Sequence, residues 1–277
     1  DIINQKLMMF HRSTVTIKQS CRQVLLGLGL LMAASLTAAE WLQAPDGAGQ
    51  ASELREQAMP PLPDSNVGQI LSRYYTQGLG GADAWAQMKS LRLSGTLKHK
   101  AGQFEYQAFV KKPNLCKQEI SNDRVRCAKG FNGDLAWRKQ ASGRPSKELS
   151  AEAATIYQLN AQVGSQLLYP YAEGKQIELV ATKPLKGRIC HRFEALPIEV
   201  NYYIDVHDSL ERKRVYRDAE GQAKLVIDYD QYRRFQGIPI AMSEVQHCEQ
   251  GKWISTLQIN QVSLNAGVMP WMFAMPD

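Results

Sequence analysis

The spacing of apolar residues changes once along this chain, from a helical period to a strand period. Val67, Ile70 and Leu71 recur at helical spacing, and Trp85 and Met88 do so in a second, shorter run. From residue 91 onward, apolar and polar residues alternate, as in strands that bury one face. The pattern predicts two short helices, at 67–75 and 82–89, followed by a β-rich domain.

The alternating runs are short and evenly spaced. Turn residues such as Gly, Pro, Asn and Asp separate them about every ten residues. Residues 150–169 interrupt the alternation and are expected to form one helix or two short ones. This spacing predicts a mainly β fold built on one large, curved antiparallel sheet. We expect strands at 91–97, 104–110, 116–120, 124–128, 135–137, 176–182, 188–196, 198–205, 210–217, 223–231, 238–248 and 252–264.

A large sheet must bury one face, and here only the helical segments can cover it. An incompletely covered, curved sheet leaves an apolar trough beneath the helices, which is a common site for long apolar ligands. The alternation does not decide which face is inward, because a one-residue shift in register exchanges the two faces. The residues expected to line the trough are Leu93, Tyr106, Ala108, Tyr202 and Ile227 on the strands, with Ile156 and Tyr157 on the helical lid.

Residues 1–39 are typical of a secretory signal peptide. Four Lys or Arg residues precede the uncharged apolar run 24–36, and small residues follow it. The run is too short to span a bilayer as an ordinary helix, which leaves a tilted membrane anchor as the alternative. We therefore expect cleavage after Ala39 and an exported mature protein.

The rest of the chain divides into a linker and one domain. Residues 40–65 are rich in Pro and Gly and are expected to form the linker. The domain that carries the expected trough spans 66–277. Met8 and Met9 are candidate initiators, so residues 1–7 are left out of the predicted fold.

Composition and charge narrow the function. The 277 residues are 44% apolar and 22% charged, as in an ordinary globular protein, and the formal net charge is +6. The expected signal peptide carries four positive charges and one negative charge, so its removal leaves +3. Such a surface predicts no nucleic-acid binding. The densest basic run, residues 212–217, is interpreted as a solvated strand face, with contact to anionic lipid headgroups as the alternative.

The cysteine count agrees with export. Removal of Cys21 with the signal would leave four cysteines: Cys116, Cys127, Cys190 and Cys248. An even number of cysteines in an exported chain suggests two disulfides, with three connectivities open. Cys116 and Cys127 flank the turn signal at 121–123, which favours a bridge between them across a hairpin, and Cys190–Cys248 then follows by elimination.

No pattern indicates catalysis or a cofactor. Zinc held by Cys190-His191 and His247-Cys248 is an alternative to the disulfide, but neighbouring strand residues point to opposite faces, which disfavours it. His207 lies in a polar turn, and the strand residues Asp228 and Asp230 lack an accompanying His or metal-ligand pattern. We therefore predict a protein that is not an enzyme and that holds neither a metal nor a cofactor.

Short motifs along the chain resemble the outer-membrane lipoprotein-sorting family, which has the LolA/LolB-like fold. Together they span about residues 67–277. The motifs are Ile70-Leu71-Ser72-Arg73-Tyr74-Tyr75, Leu79-Gly80-Gly81-Ala82-Asp83-Ala84-Trp85, Lys89-Ser90-Leu91-Arg92-Leu93-Ser94-Gly95, Lys112-Pro113-Asn114, Phe131-Asn132-Gly133-Asp134-Leu135-Ala136-Trp137, Tyr202-Tyr203-Ile204-Asp205, Asp228-Tyr229-Asp230-Gln231-Tyr232 before Gly237-Ile238-Pro239, and Leu264-Asn265.

The resemblance implies an antiparallel half-barrel under a helical lid. It also implies a periplasmic carrier that binds lipid, or the acyl chains of lipoproteins, for transfer to the outer membrane. The alternative is a periplasmic sensor or regulator of envelope stress that uses the same fold to bind lipidated or misfolded proteins. The expected partners are lipid or lipoprotein acyl chains, with a membrane or an envelope protein as a further partner. The four cysteines and the Pro-rich linker depart from the family pattern.

Overall fold

The computed structural model describes residues 65–140, 145–149, 176–196, 200–217, 223–248 and 250–277. The expected signal peptide, nearly all of the linker and the expected helical segment 150–169, with Ile156 and Tyr157, lie outside the described residues. None of the helices in the described part of the chain is long and apolar enough to cross a bilayer.

Two short α-helices precede fifteen strands in the described ranges. Helix α1 is Asn66–Arg73, a π-helical turn follows at Tyr74–Gly78, and α2 is Ala82–Gln87. A 3-10 turn at Pro270–Phe273 comes after the last strand. The strands are β1 (Ser90–His99), β2 (Gly102–Lys111), β3 (Leu115–Ser121), β4 (Arg126–Phe131), β5 (Ala136–Lys139), β6 (Lys147–Glu148), β7 (Gln176–Leu185), β8 (Arg188–Leu196), β9 (Val200–Asp205), β10 (Glu211–Arg217), β11 (Ala223–Asp230), β12 (Arg233–Phe235), β13 (Ile238–Ile240), β14 (Ser243–Cys248) and β15 (Trp253–Leu264).

Thirteen strands form one antiparallel sheet in the order β6-β5-β4-β3-β2-β1-β15-β14-β11-β10-β9-β8-β7. The mainly β fold class predicted from the sequence is therefore confirmed. The sheet consists of a first meander, β1 to β6, and a second, β7 to β11, and β14 and β15 lie between them. Pairing of β1 with β15 joins the first meander to the rest.

One predicted strand is wrong. The run 238–248 is divided, because β13 pairs only with β12 in a separate hairpin, whereas β14 belongs to the main sheet. The carbonyl oxygen of Met242, between them, accepts the N–H of Ile259 at 2.7 Å. The Met242 side chain is 3% exposed and packs in the core, so the chain turns inward here before β14 begins.

Two groups of buried residues lie on one face of the sheet, which we call the inner face. Met88, just after α2, and the β12–β13 hairpin cover the first group, whereas α1 and the π-helical turn cover the second. The first inner core includes Leu93, Leu97, Phe104, Tyr106, Ala108, Ile238, Ile240 and Ile259. The second inner core includes Leu71, Tyr74, Tyr75, Ile177, Phe193, Val200, Tyr202 and Ile204.

The positions of the two helices require the sheet to curve. Only the π-helical turn and residues 79–81 separate α1 from α2, yet the helices pack on different halves of the sheet. Strands β2 and β8 are seven strand spacings apart in the sheet order, which is roughly 34 Å in a flat sheet. A short helical segment reaches both halves because a sheet of this size curls around it.

The last residues of the chain cross the opposite, outer face. Val268 and Phe273 pack against Phe109 of β2, whose side chain points outward. The Trp137 indole N–H donates to the carbonyl oxygen of Phe273 at 2.9 Å, and the Trp137 side chain is fully buried. We call residues 266–273 the C-terminal strap.

The predicted Cys116–Cys127 disulfide is wrong, because Cys116 is a free thiol. The β3–β4 register places Cys116 opposite Phe131 and Cys127 opposite Ile120. The two cysteines are therefore offset by four residues, about 13 Å along the strands, whereas a disulfide requires Cα atoms within about 7 Å.

The predicted Cys190–Cys248 disulfide is also wrong, because both residues are free thiols. Cys190 on β8 and Cys248 on β14 are four strand spacings apart, on the order of 19 Å. Cys190 packs with Tyr203 and Val215 on the outer face. The same separation keeps the two Cys-His dipeptides apart, and the described residues contain no group of three or more His, Cys, Asp or Glu side chains able to hold a metal.

The π-helical turn approaches the sheet most closely at Gly78. A Cβ atom at this position would overlap the carbonyl oxygen of Ser209, in the turn between β9 and β10. The Arg234 guanidinium of β12 donates to the Gln77 carbonyl oxygen at 2.6 Å from the other side. The helical segment is thus held by a backbone contact that only glycine permits.

We expect Gly78→Ala to lower the free energy of unfolding by about 1–3 kcal/mol, because the added methyl group forces two backbone segments apart. Gly267→Ala is the matched control, since a Cβ atom there meets no atom within 4 Å. Chemical denaturation of both variants measures the effect. Equal stability of the two variants would contradict the close approach.

Candidate functional site

The five described residues predicted to line a trough are all buried on the inner face. Directly opposed residues of an antiparallel sheet share a face. Leu97, Leu257, Glu244 and Tyr229 are opposed in turn across β1, β15, β14 and β11, which connects the face of the first meander to that of the second. The predicted residues are Leu93, Tyr106, Ala108, Tyr202 and Ile227, and none is more than 9% exposed.

These residues do not form one apolar surface. Leu93, Tyr106 and Ala108 belong to the first inner core and Tyr202 to the second, whereas Ile227 packs with a separate group that includes Tyr229. Polar side chains occupy the inner face between the groups. The candidate site is therefore apolar in its two halves and polar in its middle.

A buried ion pair lies on the second-meander side of this polar region. The Arg214 guanidinium donates to both carboxylate oxygens of Glu211, with Nε–Oε1 at 2.8 Å and Nη2–Oε2 at 2.7 Å. Its carbon atom Cζ lies 5.0 Å from the ring centre of Tyr202 and 5.5 Å from that of Tyr229. The two rings give the cation apolar and π contacts in addition to its counter-ion.

The interpretation of residues 212–217 as one solvated basic face is therefore wrong for Arg214. Strand alternation sends Lys213 to the outer face, where its ammonium group lies 3.6 Å from Asp228, and sends Arg214 inward. Burial alone would lower the pKa of Arg214, but the charge of Glu211 and the surrounding tyrosines raise it well above its usual value. Arg214 therefore remains charged inside the protein.

Three further polar side chains, on β14 and β15, face inward beside the ion pair. Gln246 is opposed by Ile227 on one side and by Ser255 on the other, and Glu244 lies two residues along β14. We define the central polar patch as Tyr106, Tyr229, Glu244, Gln246 and Ser255. Each of the five is between 1% and 7% exposed.

The electrostatics of the patch favour uncharged side chains. Burial raises the pKa of Glu244 well above its usual range, and the charge of Glu211 adds to this while that of Arg214 opposes it. Burial and the charge of Glu244 also raise the pKa of Tyr106. On the neighbouring β1, burial and Lys100 lower the pKa of His99 to about 4, so its imidazole is neutral at neutral pH.

A second polar row crosses the first meander. Ala108, Gln118 and Lys129 are opposed in turn on β2, β3 and β4, and Lys129 is 5% exposed. Burial lowers the pKa of Lys129 to about 8, and the charge of Cys116 acts in the opposite direction. The inner face of this meander thus contains a lysine that loses its proton unusually easily.

The remaining candidate residues have structural roles. The Asp205 carboxylate accepts the backbone N–H of His207 and the Arg188 guanidinium, each at 2.8 Å, which explains the polar turn. Asp228 pairs with Lys186 at 2.9 Å on the outer face, and Asp230 is exposed at the end of β11. The structure does not bring these side chains together on the inner face.

Comparison with known proteins identifies the fold. No family model and no curated protein matches the sequence. A DUF1329 family protein from Desulfovibrio piger matches with a TM-score of 0.54 and 8% identity, over 74% of this chain and 95% of that chain. A LolA superfamily protein from Nitrosomonas europaea matches with a TM-score of 0.51 and 12% identity, over 74% and 96%.

The protein has the LolA-like fold. A structure described as an outer membrane lipoprotein-sorting protein domain, from Vibrio parahaemolyticus, has a TM-score of 0.49 and 10% identity, over 73% of this chain and 93% of that chain. The resemblance stated from the short sequence motifs is confirmed at the level of the fold.

Within the LolA-like fold, sequence reasoning missed the polar residues of the inner face. In β14 the apolar Val245 points outward, and Glu244 and Gln246 point inward, so the usual alternation is inverted. The signal was weak because the turns between the strands set which residues of β11 and β15 lie beside them, and because Tyr106 on β2 is distant in sequence. To find the patch from the sequence, one would have to predict which residues of β11 and β14 are opposed from the turns that join them.

We expect Glu211→Gln to lower the free energy of unfolding by about 3–5 kcal/mol, because it leaves the Arg214 charge buried without a counter-ion. Glu119→Gln is the matched control. It removes the carboxylate 2.9 Å from Lys117 on the outer face, and we expect a loss below about 1 kcal/mol. Denaturant titration of both variants tests this, and a small loss for Glu211→Gln would disprove the buried pair.

We expect Lys129→Met to stabilise the protein at pH 7 by up to about 3 kcal/mol. The pKa of Lys129 is about 8 in the folded state and 10.5 ordinarily, so between these two pH values the unfolded chain binds more protons than the folded protein. The free energy of unfolding of the native protein should therefore increase as the pH rises from 8 to 10.5. Lys98→Met, at an exposed position of β1, is the control. A difference between Lys129→Met and native protein that does not change with pH would contradict this.

Proposed function

We propose that the inner face binds lipid, or the acyl chains of lipoproteins, and that the protein carries them through the periplasm toward the outer membrane. The observation that carries the proposal is the burial of large apolar side chains along one face of a curved sheet, under helices that contact both halves. An acyl chain lying on such a face would contact apolar side chains from many strands. In this proposal the protein neither catalyses a reaction nor binds nucleic acid.

The energetics suit reversible binding. Burial of an acyl chain gains about 0.8 kcal/mol per methylene group, so about sixteen carbons gain on the order of 10 kcal/mol before the costs of association. A carrier requires the remainder to be modest, so that a membrane or receptor can take the cargo. Displacement of the helical segment would uncover the inner face and provide a route for entry and release.

The fold supports this class of function. The LolA superfamily structure from Nitrosomonas europaea shares the architecture over 74% of the chain. The sequence motifs that resemble the lipoprotein-sorting family point to the same class of cargo. The expected signal peptide and the periplasmic location belong to the proposal. A sensor of lipidated or misfolded proteins would bind such cargo without passing it on, which a transfer assay separates from a carrier.

We expect Ala108→Phe to weaken binding of a dansyl-labelled fatty acid at least about tenfold, because the added ring fills space on the inner face while keeping it apolar. Gln107→Phe is the matched control, since the neighbouring residue of the same strand points to the outer face. Fluorescence titration measures binding, and thermal melting of both variants separates lost binding from lost folding.

Two further measurements complete this test. Mass spectrometry of material co-purified from the native envelope should detect acyl-chain compounds, and vesicle-to-vesicle transfer should be accelerated by the protein. If the native protein does not bind the fatty-acid probe, the carrier proposal fails. If it binds cargo but does not accelerate transfer, the sensor alternative replaces it.

A further inference from the structure

The central polar patch contains several buried polar groups without hydrogen-bond partners. Within the described part of the chain, the unpartnered atoms of the patch are Glu244 Oε2, Gln246 Oε1 and Nε2, Ser255 Oγ, and the hydroxyl groups of Tyr106 and Tyr229, and the buried Gln118 amide, outside the patch, is unpartnered as well. All five residues of the patch are more than nine-tenths buried. Buried polar groups in folded proteins are nearly always hydrogen-bonded, so a set of this size on one face of a sheet is unusual.

The patch is compact. Gln246 and Ser255 are directly opposed on β14 and β15, and so are Tyr229 and Glu244 on β11 and β14. Opposed side chains on one face have Cβ atoms about 5 Å apart. Tyr106, on β2, lies three strand spacings from β14 on the same face, and the charge of Glu244 contributes to its pKa. One small polar group could therefore contact several of these side chains together.

The patch offers both hydrogen-bond donors and acceptors. The Gln246 side chain supplies an N–H donor and a carbonyl acceptor, and the hydroxyls of Ser255, Tyr106 and Tyr229 can do either. Burial favours the protonated form of Glu244, which adds a donor. Because Glu211 already neutralises the nearby Arg214, the region presents no free positive charge to an anion. This chemistry matches a neutral group that both donates and accepts.

Apolar residues border the patch on both sides. Leu257 of the first inner core lies next to Glu244 in the sheet with Leu97 beyond it on β1, and Ile227 lies next to Gln246. A ligand that reaches the patch therefore has its polar group at the middle of the inner face and its hydrocarbon along the adjoining strands. A plain hydrocarbon would leave the polar atoms unsatisfied, and a free carboxylate would meet no unpaired cation.

We propose that the central polar patch binds the amide group of an N-acyl ligand, with the acyl chain along the first inner core. The amide carbonyl accepts from Gln246 Nε2 and the hydroxyl groups, and the amide N–H donates to Gln246 Oε1 or Ser255 Oγ. This inference rests on the proposed carrier function and specifies which acyl compounds the site prefers.

The test compares two ligands of equal chain length, N-methyltetradecanamide and methyl tetradecanoate, as competitors of a dansyl-labelled fatty acid bound to the purified protein. The ester accepts hydrogen bonds but cannot donate one. The measured quantity is the ratio of their dissociation constants in each variant relative to native protein, because this comparison cancels their different solubilities. We expect Gln246→Leu to shift the ratio by about fivefold against the amide.

Gln118→Leu is the matched control, because it removes another buried amide of the inner face, on β3 and outside the patch. The ratio should remain at its native value in this control. Glu244→Gln, which keeps a donor, should also preserve the ratio, because Glu244 is not an acceptor for the amide N–H in this arrangement. If Gln246→Leu does not fold, as judged by thermal melting, Ser255→Ala serves in its place with the same expectation.

The outcomes distinguish the two proposals. If both compounds displace the probe but the ratio is the same in native protein, Gln246→Leu and Gln118→Leu, the inference about the patch is wrong and the carrier proposal stands. An equal shift in Gln118→Leu would also overturn the inference, because the effect would then not be specific to the patch. If the native protein binds neither the probe nor the competitors, the carrier function fails and the inference fails with it.

Discussion

The pairing of the first strand with the last makes the two meanders one sheet. Leu91 of β1 is opposed by Leu264 of β15, and this junction is extended by the backbone N–H of Asn265, which donates to the Ser90 carbonyl oxygen at 2.8 Å. Contacts between such distant parts of a chain are slow to form, because the intervening loop must close first. The inner face is continuous only across this junction. The helices precede β1 directly, so their contacts with both halves depend on it as well.

The middle of the inner face is built differently from its two halves. Burial of aliphatic and aromatic side chains stabilises each half, whereas the Glu211–Arg214 pair and the central polar patch carry desolvation costs. An entirely apolar interior of the same volume would be at least as stable. The polar middle is therefore not explained by stability, and under the proposed function it would serve ligand recognition. It also separates the apolar halves of the inner face from each other.

The sequence predicts the fold class, and it predicts which residues share a face wherever the inward residues are apolar. The strand period around Leu93 and Tyr106 and the helical period around Leu71 correspond to buried faces of β1, β2 and α1. The same reasoning fails in β14, where Val245 is outward, because periodicity registers hydrophobicity and not direction. The cysteine pairing failed for another reason. The turn at Asn122, whose side chain accepts the N–H groups of Arg124 and Val125, fixes the register that puts Cys127 opposite Ile120.

The C-terminal strap has a practical consequence for handling this protein. Because the strap packs against Phe109 on the outer face, and the Asp277 carbonyl oxygen accepts from Lys139 of β5, the last residues lie on the side away from α1 and α2. A biotin or a surface linker attached after Phe273 would orient immobilised molecules with the inner face toward the solution. Biosensor surfaces prepared in this way would leave the helical cover free to move.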